Sequence, residues 1–298
     1  MKNIVLNLIT VYNFQNYIIS FLKKKNLIEL MNNENLQELE KFGIVKVRNF
    51  LNFDEVNQIK NILKFYSAPK GHHKSYYSTK LIHFISKLIK LDFRKFKDDC
   101  IIYQLAKRKD LNQISNKIFK RKSFLKFIDG YHSPVSNKDV LPWHTDQAYQ
   151  GDERKQSGYV NPDHAHLKFF IYLSKVGPNN GCMSYIPESH KLGYAIRKGI
   201  FENQIEYEPY FTLKEFRNFL CIKKNRIFIE NFLNDYNLVE NFLNKTKFIE
   251  KNEESEEFDY SLLPGDAIIF NEGGVHKGSK SLINERFVLR YLYSIKKN

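Results

Sequence analysis

His144 and Asp146 flank a single residue in Trp143-His144-Thr145-Asp146. On an extended segment, residues two apart point to the same face. An imidazole and a carboxylate placed in this way can hold a metal ion from one side, with a third ligand arriving from a distant strand. His276, within the glycine-rich "GGVHKGSKS", is the candidate third ligand. Two imidazoles and one carboxylate on one side of a metal leave three positions open, the facial arrangement of non-haem Fe(II) sites. Spacing alone is a weak signal, because H-x-D recurs in polar loops. A second feature supports it. Arg286 and Arg290 follow His276 in a chain whose cations are mostly lysine. A guanidinium grips a carboxylate bidentately, which suits an organic acid bound beside a metal.

These residues need elements to position them. From residue 141 onward the pattern is β-like. "HLKFFIYLSKV" alternates His166, Lys168, Phe170 and Tyr172 against Leu167, Phe169, Ile171 and Leu173. "GPNNG" signals a turn and "CMSYIP" a further strand. "YSLLPGDAIIFN" reads as strand, turn and buried strand, "GGVHKGSKS" as a loop, and "RFVLRYLYSI" as the last strand. Upstream, residues 3–31 have helical spacing, "NNENLQELEKFG" is a short helix ending near Gly43, and "GIVKVRNFL" is a strand. "NFDEVNQIKNILKFYS" is a capped amphipathic helix. "HHKSYYSTKLIHFISKLIKL" reads as loop then helix, "CIIYQLAK" as a strand, "NQISNKIFKRKSF" as helical or mixed, and "FLKFIDGYHSP" as a strand. Residues 194–258 break the β pattern with helical apolar spacing and an acidic stretch, "KNEESEEFD"; they form a helical insertion, a lid or an elaborated edge. The other histidines considered, His72, His73, His132, His164, His166 and His190, are read as structural or solvent-facing, because a facial site needs only three ligands.

Composition narrows the class. A hydrophobic share of 42% in 298 residues supports one large core. The net charge of +14 reflects a lysine surplus and reads as a solvated cationic surface that also suits an anionic substrate. No zinc finger, helix-turn-helix or aromatic RNA-binding motif accompanies it, so nucleic acid is not expected as a partner. Three cysteines without a CxxC pair argue against a disulfide framework or a thiolate zinc site and fit a reducing cytoplasm. Polar residues interrupt the apolar N-terminal stretch, so neither a cleaved leader nor a membrane span is expected.

Taken in order, "PWHTDQAY", "FFIYLSKVGPNNGCMSYIPESHKLG" and "LLPGDAIIFNEGGVHKGSKSLINERFVLRY" resemble the phytanoyl-CoA dioxygenase family, and "FGIVKVRNFLNFDEVNQIKNIL" is similar to that family's opening strand and helix. The resemblance covers roughly residues 35–193 and 259–298. It implies a mainly β domain over 35–298: a double-stranded β-helix (jelly roll, cupin-like) with flanking helices and the insertion at about 194–258, preceded by an N-terminal helical extension over 1–34. It also implies a dioxygenase that uses Fe(II), 2-oxoglutarate and O2 on a small-molecule substrate. By position, His144, Asp146 and His276 become iron ligands, and Arg286 becomes the partner of the 2-oxoglutarate distal carboxylate, with Arg290 as the alternative. Phe170, Ser279 and Lys168 fall near the co-substrate, and Trp143, Gln147 and Tyr149 near the substrate. Related halogenases replace the carboxylate ligand with a small residue; Asp146 therefore favours hydroxylation. Desaturation, epimerisation, a non-catalytic binding module and a metalloenzyme without 2-oxoglutarate stay open on the same scaffold.

Overall fold

The alternating apolar segments pair into two antiparallel sheets in the computed structural model, which describes residues 31–66, 74–78, 93–146, 165–252 and 256–295. The larger sheet has six strands: β1 (Ile44–Val47), β2 (Lys74–Ser78), β3 (Ser123–Ser133), β5 (His166–Tyr172), β8 (Ala267–Asn271) and β10 (Arg286–Ile295). Their order is β1-β8-β5-β10-β3-β2. The smaller sheet, ordered β4-β9-β6-β7, contains β4 (Leu141–His144), β6 (Met183–Tyr185), β7 (Asp259–Tyr260) and β9 (His276–Gly278). Strands distant in sequence are neighbours in both sheets, which is the crossed connectivity of a jelly roll.

The two faces of β5 explain the layering. Leu167, Phe169 and Ile171 pack against helices on the outer side of the large sheet. These are α1 (Asn33–Phe42), α2 (Phe53–Tyr66), α3 (Phe93–Arg108) and α4 (Leu111–Phe119), which contribute Leu39, Ile59, Leu63, Ile102, Leu105 and Leu111. The opposite face carries Tyr172 into the space between the sheets, with Met183, Tyr185, Ile268, Phe270 and Val288. Both faces of β5 are therefore buried, although one carries Lys168. The α1 helix stops where the sequence suggests: Gly43 adopts φ 79°, and its N–H donates to Leu39 O at 2.9 Å. Asn52 and Glu55 cap α2 reciprocally, at 3.0 and 2.9 Å.

Four further helices follow β6: α5 (Ser189–Phe201), α6 (Leu213–Cys221), α7 (Lys223–Leu233) and α8 (Tyr236–Asn252). Their apolar faces form a separate core from Leu192, Ile196, Phe216, Phe219, Val239 and Phe242, which also covers Trp143 and Val275. Those last two residues adjoin His144 and His276, so these helices pack directly behind the candidate ligands. Among the described residues no helix is long and apolar enough to cross a membrane.

Several expectations change. "CIIYQLAK" is helical, within α3, because Ile101, Ile102, Leu105 and Ala106 bury one helical face against the sheet and override the β propensity of Ile-Ile-Tyr. Residues 74–78, expected as a loop, form edge strand β2 against β3. His276 opens strand β9 and does not lie in a loop. His132, read as structural or solvent-facing, sits in β3, is buried and stacks on Phe287 at 4.1 Å between ring centroids. The helices expected in residues 3–31, along with His72, His73 and His164, lie outside the described residues but for Met31.

Candidate metal centre

Strand pairing brings the histidines together. β4 and β9 are antiparallel neighbours with His144 directly opposite His276, and the ring centroids are 4.3 Å apart. Asp146, two residues past His144, closes the group: His144, Asp146 and His276 each offer one ligand atom, all within 4.8 Å of one another. Each imidazole is oriented by its own segment. His144 Nδ1 donates to Pro142 O at 2.7 Å, and His276 Nδ1 donates to Gly274 O at 2.9 Å. A carbonyl only accepts, so the proton sits on Nδ1 and each Nε2 presents a lone pair.

Those lone pairs face the carboxylate. His276 Nε2 lies 3.0 Å from Asp146 Oδ2, and His144 Nε2 lies 3.5 Å from Oδ1. The buried His144 Nε2 has no hydrogen-bond partner. Three acceptors converging in a buried site repel one another unless a cation lies between them, so the donor set fits a divalent metal. Burial, followed by the neighbouring His144, pulls the His276 imidazole below its usual range, which keeps it neutral as a ligand must be. Burial would raise the Asp146 carboxyl, but Lys168 and His276 outweigh it and hold it well below the usual range.

A buried charge cluster stands behind Asp146. Lys168, from the inner face of β5, donates to Asp146 Oδ2 and to Glu272 Oε2, the latter at 3.1 Å. Glu272 Oε1 accepts from His166 Nδ1. Burial pushes the Glu272 carboxyl up, Lys168 and His166 pull it down further, and the net position is about 2. Backbone contacts tie the same segments: Asp146 N–H donates to Glu272 O at 3.2 Å, and Thr145 Oγ1 donates to Gly273 O at 3.1 Å.

A cavity of about 220 Å³ opens beside the three ligands and is lined by Tyr131, Leu141, Phe170, Met183, Arg286 and Arg290 among others. The register of β10 against β3 separates the two arginines. It sets Arg290 opposite Asp129 and Arg286 opposite Ser133. Arg290 Nε donates to Asp129 Oδ1 at 2.6 Å, and its Nη2 donates to Oδ2. Burial lowers the Arg290 guanidinium, Asp129 more than offsets this, and the net shift is upward. Arg286 is buried, meets no carboxylate among the described residues and leaves its Nε without a partner; its Cζ lies 5.8 Å from the centroid of the Tyr172 ring.

The remaining candidates divide. Phe170 lines the cavity, edge-on to Phe270 at 5.1 Å. Lys168 lines it too, with its ammonium engaged by carboxylates. The Ser279 hydroxyl lies 3.2 Å from the Ser184 hydroxyl and 3.6 Å from Cys182 Sγ, and Ser279 is not among the cavity residues. Trp143 lines a neighbouring cavity of about 320 Å³ with Lys214, Ile249 and Lys277. Gln147 and Tyr149 lie outside the described residues. Glu272, Asp129, Tyr131 and Met183 were not singled out from sequence. For Glu272 a signal existed: it is an acidic residue in an otherwise apolar and glycine-rich run four positions before His276. His190 keeps the structural part expected of it, with Nε2 3.3 Å from Glu40 O.

A jelly roll with a His-x-Asp pair on one strand end and a histidine from the facing strand has the architecture of the non-haem metal oxygenases. The chain belongs to the phytanoyl-CoA dioxygenase family, whose model matches residues 39–282. A comparison with curated proteins finds no match. Among solved structures it is similar to HygX from Streptomyces hygroscopicus with nickel and 2-oxoglutarate bound: TM-score 0.55, 13% identity, 89% of this chain and 88% of that one covered. HygX with nickel, 2-oxoglutarate and hygromycin B bound gives TM-score 0.55 at 12% identity, with the same coverage of both chains. EvdO2 from Micromonospora carbonacea var. aurantiaca gives 0.52 at 10% identity, covering 89% and 91%. At these identities the likeness establishes the fold.

Proposed function

We propose that this chain is an Fe(II)- and 2-oxoglutarate-dependent dioxygenase that hydroxylates an unactivated C–H of a small molecule. The observation that carries this reading is the convergence of two Nε2 lone pairs and a carboxylate in one buried site within a family of dioxygenases. His144, Asp146 and His276 would hold the metal. Arg286 would take the distal carboxylate of 2-oxoglutarate, because its charge faces the cavity unmatched while Asp129 neutralises Arg290. Bound iron with 2-oxoglutarate supplies O2-dependent oxidation of a C–H to C–OH, coupled to loss of CO2 and formation of succinate. The protein binds, orients and excludes water: Phe170 and Met183 line the cavity, and the insertion core behind Trp143 closes the rear of the ligand strands. The fold shared with HygX, crystallised with nickel and 2-oxoglutarate, supports the same co-substrate. Asp146 favours hydroxylation over halogenation, since a carboxylate fills the position a halide would need.

Anaerobic titration with Fe(II) and then 2-oxoglutarate tests this. The expected result is a weak visible charge-transfer band that needs both additions and is lost in Asp146→Ala. A folded protein that binds no iron overturns the reading. Iron binding without a response to 2-oxoglutarate overturns the co-substrate.

A further inference from the structure

Glu272 reaches the carboxylate ligand by two routes without facing the metal position itself. Its carbonyl accepts from Asp146 N–H at 3.2 Å. Its side chain accepts from Lys168 at 3.1 Å, and the same ammonium donates to Asp146 Oδ2. His166 Nδ1 occupies the other Glu272 oxygen, and His166 Nε2 lies 3.3 Å from Lys126 Nζ. Lys168, Glu272 and His166 are all buried. In such surroundings the charge on each group matters more than it would in water. Asp146 and Glu272 contribute two negative charges around the one Lys168 ammonium that touches both, with Lys126 further out on His166 Nε2, so the three groups in direct contact together keep one negative charge. With Lys168 and Asp146 alone the sum would be zero, and the ammonium would compete with a metal for the same carboxylate.

We propose that Glu272 is a positioning residue for the metal centre: by sharing the Lys168 ammonium, it leaves Asp146 a net negative charge with which to bind metal. The inference rests on the metal reading above. It explains why a lysine can stand against a metal ligand in this chain. It also explains why the segment carrying His276 bears a carboxylate aimed back at β5.

The test is Co(II) titration, read by visible absorption, on wild type, Asp146→Ala, Glu272→Gln, Lys168→Gln and the double variant Lys168→Gln/Glu272→Gln. Unfolding midpoints without metal are measured alongside. Glu272→Gln is expected to bind Co(II) about 10–100-fold more weakly. The double variant, which removes the competing ammonium as well, is expected to recover most of that loss. A residue that merely supported the fold would give no recovery, since the second substitution would only add to the damage. Wild-type affinity in Glu272→Gln overturns the proposal, as does a double variant no better than that single one. Should Glu272→Gln fail to fold, Lys168→Gln decides. Binding at least as tight as wild type supports the proposal, and weaker binding overturns it. Absence of Co(II) binding in wild type overturns the metal reading and the inference together. Binding by wild type that is lost in Asp146→Ala but indifferent to residues 168 and 272 overturns the inference alone.

Discussion

Arg286 and Arg290 share the inward face of one strand, yet their surroundings differ. Arg290 lies between the rings of Phe127 and Tyr131, at 4.8 and 4.9 Å, and holds the fully buried Asp129. Its loss would strand that carboxylate. Arg290→Leu is therefore expected to lower unfolding stability by about 3–5 kcal/mol, measured by urea denaturation. Arg286 lines the cavity beside Tyr172 and meets no carboxylate among the described residues, and its replacement would remove the proposed partner of a bound anion. Arg286→Leu is expected to raise the 2-oxoglutarate concentration for half-saturation on the order of 100-fold with a smaller change in stability. The reverse pattern would assign the co-substrate to Arg290.

At the scale of elements, α5 and the segment before β9 are joined so closely that the helix positions His276. Ser189 Oγ accepts from Val275 N–H at 2.8 Å, and Ile186 N–H donates to Val275 O at 3.0 Å. One turn on, a β-carbon at Gly193 would overlap the carbonyl oxygen of Gly273, a backbone atom that cannot swing aside. Alanine for glycine within a helix ordinarily gains up to about 1 kcal/mol from propensity. Here the overlap dominates. Gly193→Ala is expected to cost about 1–3 kcal/mol in stability, as overpacking does, and to weaken Co(II) binding by shifting His276. Thermal unfolding and Co(II) titration on the same sample check this; a stabilised variant with unchanged affinity would refute the coupling. The other ligand strand is held likewise, with Thr145 N–H donating to Phe211 O at 2.9 Å and the His144 ring 5.5 Å from that of Phe211.

For the molecule as a whole, a bound metal would cross-link segments far apart in sequence, the end of β4 and the start of β9. A ligand that binds only the folded state stabilises it by mass action, by about 2.7 kcal/mol at a hundred times its Kd. Co(II) at that excess is expected to raise the unfolding midpoint of wild type, a chelator to reverse the rise, and Asp146→Ala to show neither. Equal shifts in wild type and Asp146→Ala would place the metal elsewhere. The two cores behave differently in this picture. The helices α1–α4 bury the outer face of the large sheet, whereas α5–α8 pack on Trp143 and Val275 beside the ligands. Metal binding should therefore protect α5–α8 more than the outer helices in hydrogen exchange.

Residue type and local periodicity were enough, from sequence alone, to read the strands β5, β8 and β10 and the helical character within residues 194–258, and together with the family's motifs they nominated His144, Asp146 and His276 as candidate ligands. These are local properties: H-x-D on extended backbone must share a face, and alternation must match the pleat. Membership of the family was legible for the same reason, since its signature lies in contiguous stretches. What only the tertiary structure decided is pairing. β10 meets β3 in a register that puts Asp129 and not Ser133 opposite Arg290, so Arg290 is paired with a carboxylate and Arg286 meets none among the described residues. Lys168, read from sequence as lying near the co-substrate, lines the cavity, and the tertiary structure adds that its ammonium is engaged by Asp146 and Glu272. The strand propensity of Ile101 and Ile102 yielded to a helix once a sheet face needed covering. Each of these outcomes depends on which distant group arrives across a strand or a core. Burial then magnifies the choice, because in a low-dielectric interior a charge must find its partner or remain exposed to a ligand.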